Sequence, residues 1–171
     1  MIVYLCPLVE NTLMLDAADL ANLQTISIAA VCGAVIGLER ELAGKPAGIR
    51  THIFVCAGSA LMMILGQEIV GQFEHEESDK LLKADPIRIL QAIVVGISFL
   101  GAGTIVHEEH RGVEGLTTAA TIYLTAGIGV ATAVERVPLA VAITIGTLFT
   151  LFVLGWVEDK CAERHCKRSD E

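Results

Sequence analysis

Apolar residues fall into five long runs separated by short polar stretches. The runs cover about residues 21–38, 52–71, 89–106, 117–134 and 137–157. Each is 18 to 21 residues long, and a rise of about 1.5 Å per residue turns that into about 27–32 Å of helix. A bilayer's hydrocarbon core is about 30 Å thick. Within the five runs the only Asp, Glu, Lys or Arg is Glu68, near the end of the second. A helix packed on a water-soluble core keeps a polar face, and none of these has one. A charge at the bilayer centre costs about 2.5–3.5 kcal/mol on insertion scales, which explains the near absence of charge. The pattern predicts an all-α, polytopic bundle of about five transmembrane helices in a lipid bilayer.

The polar stretches organise the rest. Residues 1–20 mix apolar positions with Pro7, Glu10, Asp16 and Asp19 and read as an interfacial lead-in to a transmembrane domain over 21–157. Residues 158–171 read as a charged tail. The first ten residues hold no Lys or Arg, so no cleavable signal peptide is expected and the first run serves as its own insertion signal. With five spans, 39–51, 107–116 and 158–171 share a side and carry eight Lys and Arg, against four on the other side. The positive-inside rule then predicts the N-terminus outside and the C-terminus in the cytoplasm. The acidic loop 72–85, with Glu74, Glu76, Glu77, Asp79 and Asp85, faces outward in that arrangement.

Composition adds two points. Hydrophobic residues make up 53% and mean hydropathy is +0.61, above what a soluble domain carries. Net charge is -8, which argues against a nucleic-acid partner, because phosphate contacts need clustered Lys and Arg.

Glycine is frequent inside the runs: Gly33 and Gly37 as a GxxxG pair, Gly96, Gly101 and Gly103 in the third, Gly127 and Gly129 in the fourth. Small residues let helices approach closely in lipid. A second reading has the glycines of the third run opening backbone to an ion or substrate.

Candidate chemistry sits at the ends of the runs. Asp85-Pro86 is a helix start, with Arg88 one turn in. The stretch GLERELAGKPAGIRTH at 37–52 packs Glu39, Arg40, Glu41, Lys45, Arg50 and His52 beside two spans. Glu39 directly follows an apolar run and needs a cationic partner, Arg50 or Arg40. Glu114, Thr117 and Thr118 open the fourth run, where the threonines cap the helix or bond across helices. The GISFLGAGT run at 96–104 lacks the Lys of a phosphate loop and lies in an apolar segment. Ser59 and Ser98 have no His at a matching depth, so no hydrolytic triad is expected. His107, His110, Glu108 and Glu109 read as a solvated loop before a divalent-ion site. Cys161, His165 and Cys166 read as a solvated tail, lacking a fourth ligand.

Three segments together resemble the MgtC/SapB family of bacterial membrane proteins. They are GLERELAGKPAGIRTH at 37–52, DPIRILQAIVVGISFLGAGTIV at 85–106 and GLTTAATIYLTAGIGVATA at 115–133. The resemblance covers roughly residues 21–157. It implies a polytopic inner-membrane protein of about five helices, a short form without the soluble C-terminal domain of many relatives. It also implies a link to magnesium limitation, survival inside host cells and restraint of the F-type ATP synthase. The family's motif positions fall on Glu39, Arg40, Glu41, Gly48, Arg50 and Thr51, then on Asp85, Pro86, Arg88, Gly101, Gly103, Gly115, Thr117 and Thr118. Glu39, Arg50, Asp85, Arg88 and Thr117 are the strongest candidates, as polar groups at a membrane boundary. The expectation is a non-enzymatic regulator, without a cofactor, that contacts a membrane protein complex or itself through small-residue helix faces. The alternative is a small channel or transporter for Mg²⁺ or another cation.

Overall fold

The computed structural model describes residues 16–75, 86–108 and 112–169. Five helices follow one another: α1 (Ala17–Leu42), α2 (Ile49–His75), α3 (Pro86–Gly103), α4 (Leu116–Ala133) and α5 (Val137–Ser169). A short hairpin joins α3 to α4. Its strands β1 (Val106–Glu108) and β2 (Gly112–Glu114) pair antiparallel, with Val106 opposite Glu114. Four helical stretches are long and apolar enough to cross a membrane: Ala17–Leu42, Ile49–Gly71, Leu116–Ala133 and Val137–Val157. Ile87–Gly103 is apolar but slightly shorter.

Local chemistry sets the ends. Asp16 and Asp19 form a reciprocal capping box at the start of α1, with the Asp16 N–H donating to Asp19 at 3.1 Å. So residues 17–20, expected as part of a lead-in, are the first turn of α1. At its other end the Gly44 N–H donates to the Glu41 carbonyl at 3.0 Å and the Lys45 N–H to the Arg40 carbonyl at 3.0 Å. This is a Schellman closure with Gly44 left-handed at φ 66°. The same two-bond closure ends α4, where Glu135 takes the left-handed position at φ 60° and Arg136 N–H reaches the Ala131 carbonyl. Pro86 begins α3, as the Asp-Pro signal predicts; Asp85 lies outside the described residues.

The third span corrects the sequence expectation at one end. The apolar run continues to Val106, but the helix stops at Gly103. Thr104 and Ile105 turn out through N–H bonds to the carbonyls of Gly101 and Ala102, and Val106 enters the hairpin. Gly115 brings the chain back at φ 89°, and a side chain there would collide with the Thr104 carbonyl. Two backbones meeting at one point therefore end the third span early. Helix α5, by contrast, continues past its apolar part into residues 158–169.

The core lies among α1, α2, α4 and the inner face of α5. Ala29, Ile36, Cys56, Ala60, Ile128 and Ala140 are fully buried in it. Around it large apolar side chains face outward, Phe54 75%, Phe99 82% and Phe152 73% exposed among them. A soluble monomer does not present apolar surface on this scale; a bilayer covers it.

Candidate functional site

One end of the bundle gathers most of the polar side chains. Arg40, the last inward position of α1, is 4% exposed. Buried guanidinium needs acceptors, and the neighbouring Glu39 supplies both of its oxygens, one to Nε and one to Nη2 at 2.7 Å. Of the two partners the sequence offered Glu39, the structure selects Arg40 over Arg50, which is exposed on the first turn of α2. Glu41, one residue on, turns its carboxylate the other way. It accepts the Ile49 N–H at 2.9 Å and so caps α2 from eight residues upstream. Gly48 leaves room for it, since a Cβ there would stand 2.6 Å from a Glu41 oxygen.

His52 lies one turn further into α2 and is completely buried. Its Nδ1 faces the Gly48 carbonyl at 3.0 Å and its Nε2 faces Thr121 Oγ1 of α4 at 3.4 Å. A carbonyl only accepts, so Nδ1 carries the proton in that bond. Nε2 is then an acceptor, and the single Thr121 hydroxyl proton is shared between it and the Thr118 carbonyl, which makes His52 a polar contact between α2 and α4 inside an apolar bundle. Above it Gly33 sits against the His52 carbonyl, and a Cβ on Gly37 would come 2.6 Å from the Ile49 Cα. The GxxxG pair thus places the backbones of α1 and α2 in contact around the histidine.

A cavity of about 300 Å³ opens at the buried end of α1, lined by Glu39, Arg40, Ala43, Lys45, Thr117, Leu151, Leu154 and Gly155. It joins the end of α1, the loop after it, the start of α4 and the outer third of α5's apolar stretch. Of the candidates read from sequence, it brings together Glu39, Arg40 and Thr117. Thr118 is buried at 2% exposure, next to this cavity in sequence, and its carbonyl accepts the Thr121 hydroxyl at 2.9 Å. Arg50, Thr51, Arg88 and Glu114 are exposed and line no part of the cavity.

The glycines divide too. Gly33 and Gly37 make the contacts above, and Gly101 meets Ala119 of α4 at ordinary distance, 3.6 Å. Gly96, Gly103 and Gly127 have nothing within 4 Å of where a Cβ would stand, so the packing expected of them is not made within the described chain. Gly127 points away because the buried face of α4 runs through Thr118, Thr121, Ile122, Thr125, Gly129 and Thr132. At 3.6 residues per turn Gly127 is opposite that face. Gly129, named with Gly127 in the fourth run, sits against the Cys56 carbonyl of α2. The threonine spacing along α4 is the signal that separates Gly129 from Gly127. Lys45 and His52 were read as loop and helix-end residues; the first lines the cavity and the second is interior.

Four other buried threonine hydroxyls are satisfied by their own helices. Thr125, Thr132, Thr144 and Thr147 each donate to the carbonyl four residues back, at 2.6–2.8 Å. No group of three or more His, Cys, Asp or Glu side chains comes together among the described residues.

Comparison with known proteins bears on this arrangement. The chain is 33% identical to the protein SapB of Bacillus subtilis over 145 residues, covering 85% of this chain and 61% of SapB. It is 39% identical to YhiD of Escherichia coli strain K12 over 135 residues, 77% of this chain and 58% of YhiD. It is 38% identical to MgtC of Salmonella typhimurium strain LT2 over 117 residues, 68% of this chain and 45% of MgtC. The chain thus spans about three fifths or less of the length of these relatives. No solved structure matches it. The MgtC family profile matches residues 26–160, which takes in α2, α3 and α4 whole, the larger part of α1 and α5, and every residue of the cavity. This multi-pass helical chain belongs to the MgtC family.

Proposed function

We propose that this chain is a non-enzymatic regulator in a bacterial inner membrane, with its N-terminus outside and its C-terminus in the cytoplasm. It acts by helix contact on a membrane complex, the F-type ATP synthase or a cation transporter, under magnesium limitation or stress. The observation that carries the reading is an open apolar groove of about 540 Å³ between α2 and α3. Gly58 and Gly96 line it from opposite sides, and a Cβ on either would meet nothing. In lipid, helices associate through small residues that admit a neighbour's backbone. A transmembrane helix of a partner fits a groove of this kind. The buried polar groups favour a contact function as well, since the threonines donate to their own backbones and His52 ties two helices. Among the relatives named above, YhiD of Escherichia coli strain K12 carries a name that refers to magnesium transport, which supports the link to magnesium.

The competing reading is a small cation channel or transporter, with Mg²⁺ as the transported or sensed ion. Inverted membrane vesicles from cells with and without the protein separate the two. ATP-driven proton pumping and Mg²⁺ flux are followed in one preparation. The regulator reading expects pumping to fall with the protein present, Mg²⁺ flux to stay constant, and Gly96→Leu to restore pumping. Mg²⁺ flux that depends on the protein and disappears with Asp85→Asn, at unchanged pumping, overturns it.

A further inference from the structure

The cavity at the end of the bundle has features the regulator reading does not use. Its charged lining is Arg40 and Lys45 against Glu39, a net single positive charge. Both Glu39 oxygens are turned onto Arg40. A guanidinium has five N–H groups, and these two bonds leave three for the cavity that Arg40 lines. Among the described residues nothing else accepts from them. Arg40 is at the same time more than nine-tenths buried and held in a fixed plane by its bidentate partner, so its donors point in a set direction.

Two further features agree. Helix α4 begins at the cavity with Thr117, its N-cap is Gly115 without a side-chain cap, and its first turn holds no acidic residue. The positive end of that helix is therefore uncompensated on the cavity side. The opposite wall is apolar: Leu151, Leu154 and Gly155 of α5. Leu154 is 54% exposed on the lipid-facing surface. Immediately beyond, the Lys160 ammonium lies 3.7 Å over the Trp156 ring. An exposed Trp paired with Lys at the end of an apolar span marks the headgroup layer. The cavity is then a polar recess at headgroup depth with an apolar side wall leading into the bilayer.

We propose that this cavity binds a phosphodiester, the phosphate of an anionic phospholipid. One negative charge balances the lining. The phosphate oxygens accept from the free N–H groups of Arg40 and from Lys45, with the α4 amides behind them, and an acyl chain lies along Leu151 and Leu154. A free phosphate would satisfy the same donors but leave the apolar wall unused. The assignment is independent of the regulator reading, because it is tested without any partner complex.

Trp156 is the chain's single tryptophan and adjoins Gly155 of the cavity wall, so it reports on occupancy directly. The full-length protein is placed in phosphatidylcholine nanodiscs containing equal fractions of brominated phosphatidylglycerol or brominated phosphatidylcholine, and Trp156 quenching is compared. The expected result is a preference for phosphatidylglycerol of about fivefold or more, the size of one Lys or Arg contact at a membrane surface. Lys45→Gln brings the ratio close to one. Arg50→Gln, exposed at the same end of the bundle but outside the cavity, leaves it in place. Arg40 is not substituted, because its loss strands Glu39 and endangers folding. A ratio near one in the unaltered protein overturns the proposal. An equal drop in both variants also overturns it, since that is diffuse surface charge. Displacement of the brominated lipid by millimolar inorganic phosphate at constant ionic strength assigns the site to free phosphate and rejects the lipid.

Discussion

Helices α1, α2 and α4 touch backbone to backbone, while α3 keeps its distance. At the first set, Gly33 and Gly37 meet the main chain of α2, and Gly129 meets it from the other side. Helix α3 has two glycines, Gly96 and Gly103, that meet nothing, Gly101 meets Ala119 at ordinary distance, and the close contact at Gly66 of α2 is made by the Ile89 side chain and not by α3's backbone. Both regions are apolar and glycine-bearing, so the presence of glycine alone does not explain the difference. Lipid tails give no hydrophobic reason for helices to associate. What holds α1, α2 and α4 is close packing plus the His52 tie; what α3 offers is a groove still open to a neighbour.

Five substitutions test that contrast, beginning with the largest. Gly129→Leu drives a side chain into the Cys56 carbonyl and is expected to destabilise the bundle by about 3 kcal/mol or more. Thermal unfolding in detergent, followed by circular dichroism, measures it; an unchanged midpoint would show that α2 and α4 do not meet there. Arg40→Gln leaves Glu39 without its partner and is expected to cost about 2 kcal/mol, reduced because the Glu39 side chain keeps 25% of its exposure. The double variant Glu39→Gln with Arg40→Gln should recover much of that loss in the same assay. His52→Leu removes the tie to Thr121 and the bond to Gly48, for about 1–2 kcal/mol. Cysteine accessibility at Cys56, buried in the unaltered protein, should rise alongside. Glu41→Ala uncaps α2 at about 1 kcal/mol, and Glu41→Gln, which keeps an acceptor, should cost less. Gly96→Leu closes the series: stability within about 0.5 kcal/mol of the unaltered protein, with the effect on proton pumping lost. A large stability change at Gly96 would place α3 inside the packed core and remove the contrast.

Some of the site was legible in the chain and some was not. The existence of the helices followed from runs of apolar residues matched to the bilayer, since backbone groups in lipid must bond within their own helix. The pairing need of Glu39 was legible because a carboxylate beside an apolar span requires a cation. The choice of Arg40 was not, because it depends on α1 continuing four residues past its apolar run and turning Arg40 inward. The third span's early end was hidden in the same way. Nothing in ILQAIVVGISFLGAGTIV itself breaks after Gly103; the break comes from Gly115 meeting Thr104 across the hairpin.

The sequence by itself determined that this is a multi-pass helical chain, where each apolar stretch lies, and which residues are polar at its ends. Those are properties of local runs, read against lipid thickness and capping chemistry. Only the tertiary structure decided which glycines pack, that His52 is interior, and that Lys45, Arg40, Thr117 and Leu154 share one cavity. Those residues are separated by more than a hundred positions along the chain, and helix period places each on a face without saying which helix that face meets. In lipid, where apolar faces are interchangeable, the matching of small residues and buried polar ties makes that choice.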